Sequence, residues 1–89
     1  MKVCYIAHIS GNVQGVYFRA SAQQQAIEYN ISGYARNLSD GDVEVMMCGH
    51  PENIERMLAW LHEGPELAQV TQVQSKQVAL QDFSFFSIS

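Results

Sequence analysis

The stretch GYARNLSDGDVEVMMC, residues 33–48, decides the fold. Its centre, Ser39-Asp40-Gly41-Asp42, is a polar turn carrying the Asp-Gly pair, the clearest hairpin signal in the chain. On one side, Gly33 to Leu38 reads as a strand. On the other, Val43, Val45 and Met47 alternate with Glu44, Met46 and Cys48, which makes Val43 to Cys48 a strand with two different faces. The segment is therefore a β-hairpin, and the rest of the chain is arranged around it.

Downstream lies HPENIERMLAWLHEGP, residues 50–65. Pro51 suits the first helical position and Glu52 suits the positive end of a helix. Ile54, Met57, Leu58 and Leu61 recur at helical spacing, and Gly64–Pro65 stops the run. Upstream, Phe18 to Tyr29 reads as a helix with Phe18, Ala22 and Ala26 on one stripe and glutamines outside; Asn30 closes it. Before it, Cys4 to Ile9 alternates Tyr5, Ala7 and Ile9 with Cys4, Ile6 and His8, the pattern of a strand. Two weaker strands are expected near Ala68 to Lys76 and Phe83 to Ile88.

The order is strand, helix, strand, strand, helix, strand, with a short extra strand. It predicts an α+β, ferredoxin-like βαββαβ sandwich: an antiparallel sheet of four to five strands with two helices on one face. Eighty-nine residues leave room for one core, so residues 1–89 are read as a single domain. In this arrangement the first and third strands are antiparallel neighbours. Cys4 begins one and Cys48 ends the other, so they face each other on the helix-free side, along with His8 and Glu44. That geometry permits a disulfide with a stapling role; reduced thiols are the default in a reducing compartment. The cysteine spacing suits neither a zinc knuckle nor a redox CxxC pair.

Composition narrows the function. The net charge of −4 argues against the broad basic surface that nucleic acid or anionic lipid requires. No apolar run approaches the length of a membrane span, and MKVCYIAHIS reads as a strand rather than a targeting segment. A cytoplasmic location is expected. The cations are few: Lys2, Arg19, Arg36, Arg56 and Lys76.

One of them follows a glycine-rich turn, GNVQGVYFR, residues 11–19. Successive backbone N–H groups in a strand-to-helix turn can converge on one point, and the following helix adds its own unpaired donors. The arginine side chain can grip two phosphate oxygens at once. Pattern alone leaves a plain turn open beside this anion cradle. The turn is not a Walker loop, since no GK[ST] is present, and it does not match GxGxxG.

Two blocks carry a resemblance. GNVQGVYFR is similar to the acylphosphatase motif GxVQGVxFR at every fixed position. GYARNLSDGDVEV, residues 33–45, resembles that family's G-[YW]-x-x-N…DG-x-V-E segment. The spacing between the blocks agrees, and the likeness runs to the final F-x-I, Phe86 and Ile88. The resemblance implies hydrolysis of acyl phosphates. It casts Arg19 as the substrate-binding arginine and Asn37 as the residue that positions the attacking water. The backbone of Gln14, Gly15, Val16, Tyr17 and Phe18 becomes the phosphate cradle. Tyr17 departs from the usual pattern; its N–H is kept, while its phenol bears on access to the site. The implied partner is a small-molecule acyl phosphate. Neither nucleic acid nor a membrane is expected, a monomer is expected, and no metal or other cofactor is called for, because the cradle supplies what Mg²⁺ would otherwise give.

Other polar residues have plainer readings. His8 belongs on the open sheet face, His50 before a helix and His62 on a helix surface, none at metal-ligand spacing. Asp40 and Asp42 serve the turn. Arg36 points away from Asn37 by strand alternation, into solvent. Trp60 lies beside the helix stripe, partly buried. Two rivals differ in class. An RNA-binding sheet would need the basic and aromatic spacing that VYFRAS lacks. A non-catalytic domain that senses a phosphorylated ligand would use the same cradle, but would have no need of Asn37.

Overall fold

The computed structural model describes residues 1–89. Seven elements follow in order: β1 (Val3–Asn12), α1 (Phe18–Glu28), β2 (Ser32–Asn37), β3 (Val43–Gly49), α2 (Pro51–Glu63), β4 (Gln69–Val78) and β5 (Phe86–Ile88). The sheet order is β4-β1-β3-β2-β5. β1 and β3 are antiparallel with Cys4 opposite Cys48 and His8 opposite Glu44. This is the expected ferredoxin-like sandwich with one correction. β5 pairs parallel to β2, so the sheet is mixed rather than antiparallel. It is also shorter than expected, starting at Phe86 and not at Phe83.

The reason lies in where β4 ends. β4 occupies one edge of the sheet and β5 the other, so the residues between them must cross the sheet. They do so over the helix-free face: the Gln81 N–H donates to Cys4 Sγ at 3.3 Å, and Phe83 packs edge-on against Tyr34 at 6.0 Å. Phe83 is used in this strap and is not free to extend β5.

Alternation divides the sheet into two unequal faces. On the helix side, Ala7, Ile9, Ala35, Val45 and Met47 meet Phe18, Ala22 and Ala26 of α1 and Ile54, Met57 and Leu61 of α2 in one buried core. On the other side, Cys4, Met46 and Cys48 form a small cluster with Ile6, Tyr34, Val78 and Phe83 around it. There Cys4 and Cys48 are joined by a disulfide. Met46 and Met47 fill opposite faces, and Trp60 is half-buried against Phe18 with ring centroids 5.6 Å apart. No helix is long and apolar enough to cross a membrane.

Candidate active site

The loop after β1 is built to stand clear of the sheet. Strand β1 carries a register shift between Ser10 and Gly11 against β4. Gly11 has φ +125°, and a Cβ there would lie 2.1 Å from the Gln69 carbonyl oxygen, so only glycine permits this close crossing. The chain then plants two apolar feet in the core, Val13 and Phe18, each 1% exposed. Residues 14–17 are suspended between them. Gly15 takes φ +74° and Tyr17 φ +65°, both left-handed, and alternation of this kind turns successive N–H groups to one side.

Those donors are open. The backbone N–H groups of Gln14, Gly15, Val16, Tyr17 and Phe18 donate to no protein acceptor; the first bond of the helix runs from Ser21 N–H to the Tyr17 carbonyl at 3.0 Å. Tyr17 is the N-cap of α1 without a side-chain cap, and no acidic residue lies in the first turn. The positive end of α1 is thus uncompensated by the protein where it joins the loop. The Tyr17 phenol extends outward, 75% exposed, at the rim.

Arg19 sits one position into the helix. Its Nη1 donates to the Ser89 backbone oxygen at 2.7 Å, and it makes no ion pair. Asn37 is the last residue of β2 and is exposed; its carboxamide makes no hydrogen bond to protein. Gly15, Tyr17, Arg19 and Asn37 line one open cavity of about 400 Å³, with Val13, Phe18, Ala20 and Ile88 as its apolar walls.

Three contributions here lie outside the sequence reading. Ile88 of β5 reaches the cavity wall, for which only the terminal F-x-I gave a hint. The Ser89 carbonyl holds Arg19 across a separation of 70 residues, which no local pattern reports. The Gln14 side chain turns away from the cradle, and its Nε2 donates to the Leu38 carbonyl at 2.8 Å and the Asp42 carbonyl at 2.9 Å. It therefore ties the loop to the β2–β3 turn immediately after Asn37.

The remaining polar candidates lie elsewhere. Arg36 pairs with Glu44 on the helix-free face and stands 5.7 Å from the centre of the Tyr34 ring. The hydrogen bond to Glu44 and its charge raise the Arg36 pKa. Burial, and then the neighbouring Glu44 carboxylate, raise the Tyr34 pKa. His50 and His62 are exposed at the start and end of α2. His8 of β1 converges with Asp40 and Asp42 of the β2–β3 turn, their possible ligand atoms within 4.8 Å of one another. A second concavity of about 410 Å³ on the helix-free face is lined by His8, Glu44, Gln74, Ser75 and Lys76, and it has mixed charge and no turn with converging amides.

Comparison with known proteins places the chain in a family. The acylphosphatase family model matches residues 5–88. A protein of Colwellia psychrerythraea named acylphosphatase is 69% identical over 99% of both chains. One of Nitrosococcus oceani, with the same name, is 43% identical over 99% of both. Among solved structures, an acylphosphatase from Coxiella burnetii superposes with a TM-score of 0.96 at 39% identity, covering 99% of this chain and 93% of its own.

Proposed function

We infer, from the premise that this chain belongs to the acylphosphatase family, that it hydrolyses the carboxyl–phosphate bond of acyl phosphates to a carboxylate and inorganic phosphate. One observation supports the site assignment most directly. Of five consecutive amides without protein acceptors, those of Gly15, Tyr17 and Phe18 belong to residues that line one cavity with Arg19, which makes no ion pair, and Asn37, whose carboxamide is unbonded.

The chemistry follows from what an acyl phosphate needs. It is a mixed anhydride, and its leaving carboxylate is stable without a proton from a general acid. What remains is to hold the phosphoryl group, neutralise its equatorial oxygens and place a water in line. The amides of Gln14 to Phe18, the start of α1 and the Arg19 guanidinium do the first two. Arg19 is pre-oriented by the Ser89 carbonyl, and its other N–H donors remain for phosphate oxygens. Asn37 does the third: its carbonyl oxygen accepts from the water while its amide donates to the phosphoryl group. The water oxygen forms the new P–O bond, the bond to the acyl oxygen breaks, and the electron pair leaves with the carboxylate. A neutral amide is a poor base, so the water's proton passes to a substrate oxygen. In this scheme the cradle carries the charge neutralisation that a metal ion would otherwise supply.

Benzoyl phosphate hydrolysis, with inorganic phosphate as competitive inhibitor, tests this reading. Turnover that phosphate suppresses is expected. Phosphate binding without turnover would instead mark a sensing domain of the same fold, a role in which the unbonded Asn37 carboxamide has no purpose.

A further inference from the structure

Nothing in the protein bonds to the Asn37 side chain, so its place relative to the cradle depends on the backbone that carries it. That backbone is the end of β2 and the turn Leu38–Asp42. The turn is tied internally and from outside. Leu38 N–H donates to the Asp42 carbonyl at 2.8 Å, Gly41 N–H to the Leu38 carbonyl at 3.2 Å, and Asp42 N–H to Asp40 Oδ1 at 3.0 Å. From one side, Gln14 Nε2 bridges the Leu38 and Asp42 carbonyls. From the other, two side chains of β1 close on the Asp42 carboxylate: His8 Nε2 lies 2.6 Å and Ser10 Oγ 3.0 Å from Oδ2. Asp40 Oδ2 stands 3.7 Å from the same His8 nitrogen. The Asp42 side chain is 21% exposed, so its contact with His8 is partly shielded from water.

We propose that His8 is a positioning residue for the reaction: by holding the Asp42 carboxylate to β1, it fixes the β2–β3 turn, and with it Asn37, opposite the Gln14–Phe18 amides. The inference rests on the hydrolytic reading of the site. His8 touches neither the cavity walls nor the cradle, so it acts on the placement of water and leaves phosphate binding alone. With Gln14 it makes two fastenings on one turn, from two sides. Loss of the His8 fastening leaves Ser10 as the one β1 side chain on the Asp42 carboxylate and Gln14 as the tie from the other loop, so the turn is held less firmly.

The test measures kcat and KM for benzoyl phosphate and Ki for inorganic phosphate in His8→Ala, Asp42→Ala, the double variant and His8→Gln. A small displacement of a positioning group lowers the rate steeply, so kcat is expected to fall about tenfold in each alanine variant. Ki for phosphate is expected to stay within about twofold, since ground-state binding is untouched. The double variant should be no slower than Asp42→Ala, which already removes the His8 contact together with the Ser10 bond. His8→Gln, whose amide can still donate to Asp42, should recover most of the rate, and it keeps the test informative if His8→Ala fails to fold. Amide exchange at Leu38 should quicken in His8→Ala, a readout independent of turnover. The proposal is overturned by kcat within about twofold of wild type in both folded alanine variants, by additive losses, or by unchanged exchange at Leu38. A wild-type chain that binds phosphate without turnover overturns the hydrolytic reading instead; the exchange result then decides whether His8 holds the turn.

Discussion

The loop that lines the cavity and the turn that follows Asn37 are built in opposite ways. The Gln14–Tyr17 loop leaves its backbone donors open and keeps its shape through buried feet, Val13 and Phe18, and two left-handed residues. The Leu38–Asp42 turn is bonded internally and to both Gln14 and β1. The first can bind an anion because its hydrogen-bonding capacity is unused. The second can place a side chain because its own is largely spent within the protein. Unpaired buried donors would be costly, and the open loop tolerates them only because it lies at the surface.

The largest expected effect comes from removing what each loop presents. Arg19→Ala and Asn37→Ala should each lower benzoyl phosphate turnover a hundredfold or more, the ~3–4 kcal/mol typical of a lost pre-organised contact. The two should differ in kind: Arg19→Ala should weaken phosphate inhibition, and Asn37→Ala should leave it nearly intact. Equal effects on Ki would break the division between a binding loop and a placing loop. Next, reduction of the Cys4–Cys48 disulfide removes a closure of 44 residues that holds neither loop. We expect a loss of about 3–4 kcal/mol in denaturant-measured stability, with kcat preserved in the folded fraction. A fall in kcat there would tie the helix-free face to the site.

A smaller effect tests the open loop's shape. Gly15→Val puts a β-branched residue at φ +74°, with no neighbour within 4 Å to clash. The cost, about 1–2 kcal/mol by melting, is then one of backbone conformation alone. Phosphate affinity should fall as the amides turn away. Smaller still is the response of the opposite face to alkali. Tyr34 has its pKa raised above the ordinary 10.0 by burial first and by Glu44 second. The unfolded chain therefore ionises this phenol before the folded one does. Its contribution to stability is complete below pH 10 and drains away as pH rises through the folded value. Tyr34→Phe should flatten the decline of Tm above pH 10, without changing Ki for phosphate.

Most of this architecture was legible in the residues. Alternation in Val43–Cys48 and helical spacing in Ile54–Leu61 set element type, because burial of one face leaves a periodic trace in the chain. The same alternation put Cys4 opposite Cys48. The parallel placement of β5 was not legible: Phe83 reads equally well as strand or as strap, and only the distance between the two sheet edges decides. At the site, the glycines and Arg19 could be read from spacing and resemblance. The Gln14 clamp and the His8–Asp42 contact could not: the pairing of β1 with β3 brings these residues near one another, but which polar atoms bond depends on the exact path of the loop and turn beyond the strands.

That pairing also bears on how the chain reaches its native state. β1 lies in the interior of the sheet, between β3 and β4, yet it is made first, and its outer partner comes from the last third of the chain. The strap contact between Cys4 and Gln81 spans 77 residues. Rates of folding fall as contacts join more distant residues. A nascent chain on the ribosome holds β1 with one edge unpaired until Gln69–Val78 has emerged, so the chain should fold slowly for its size.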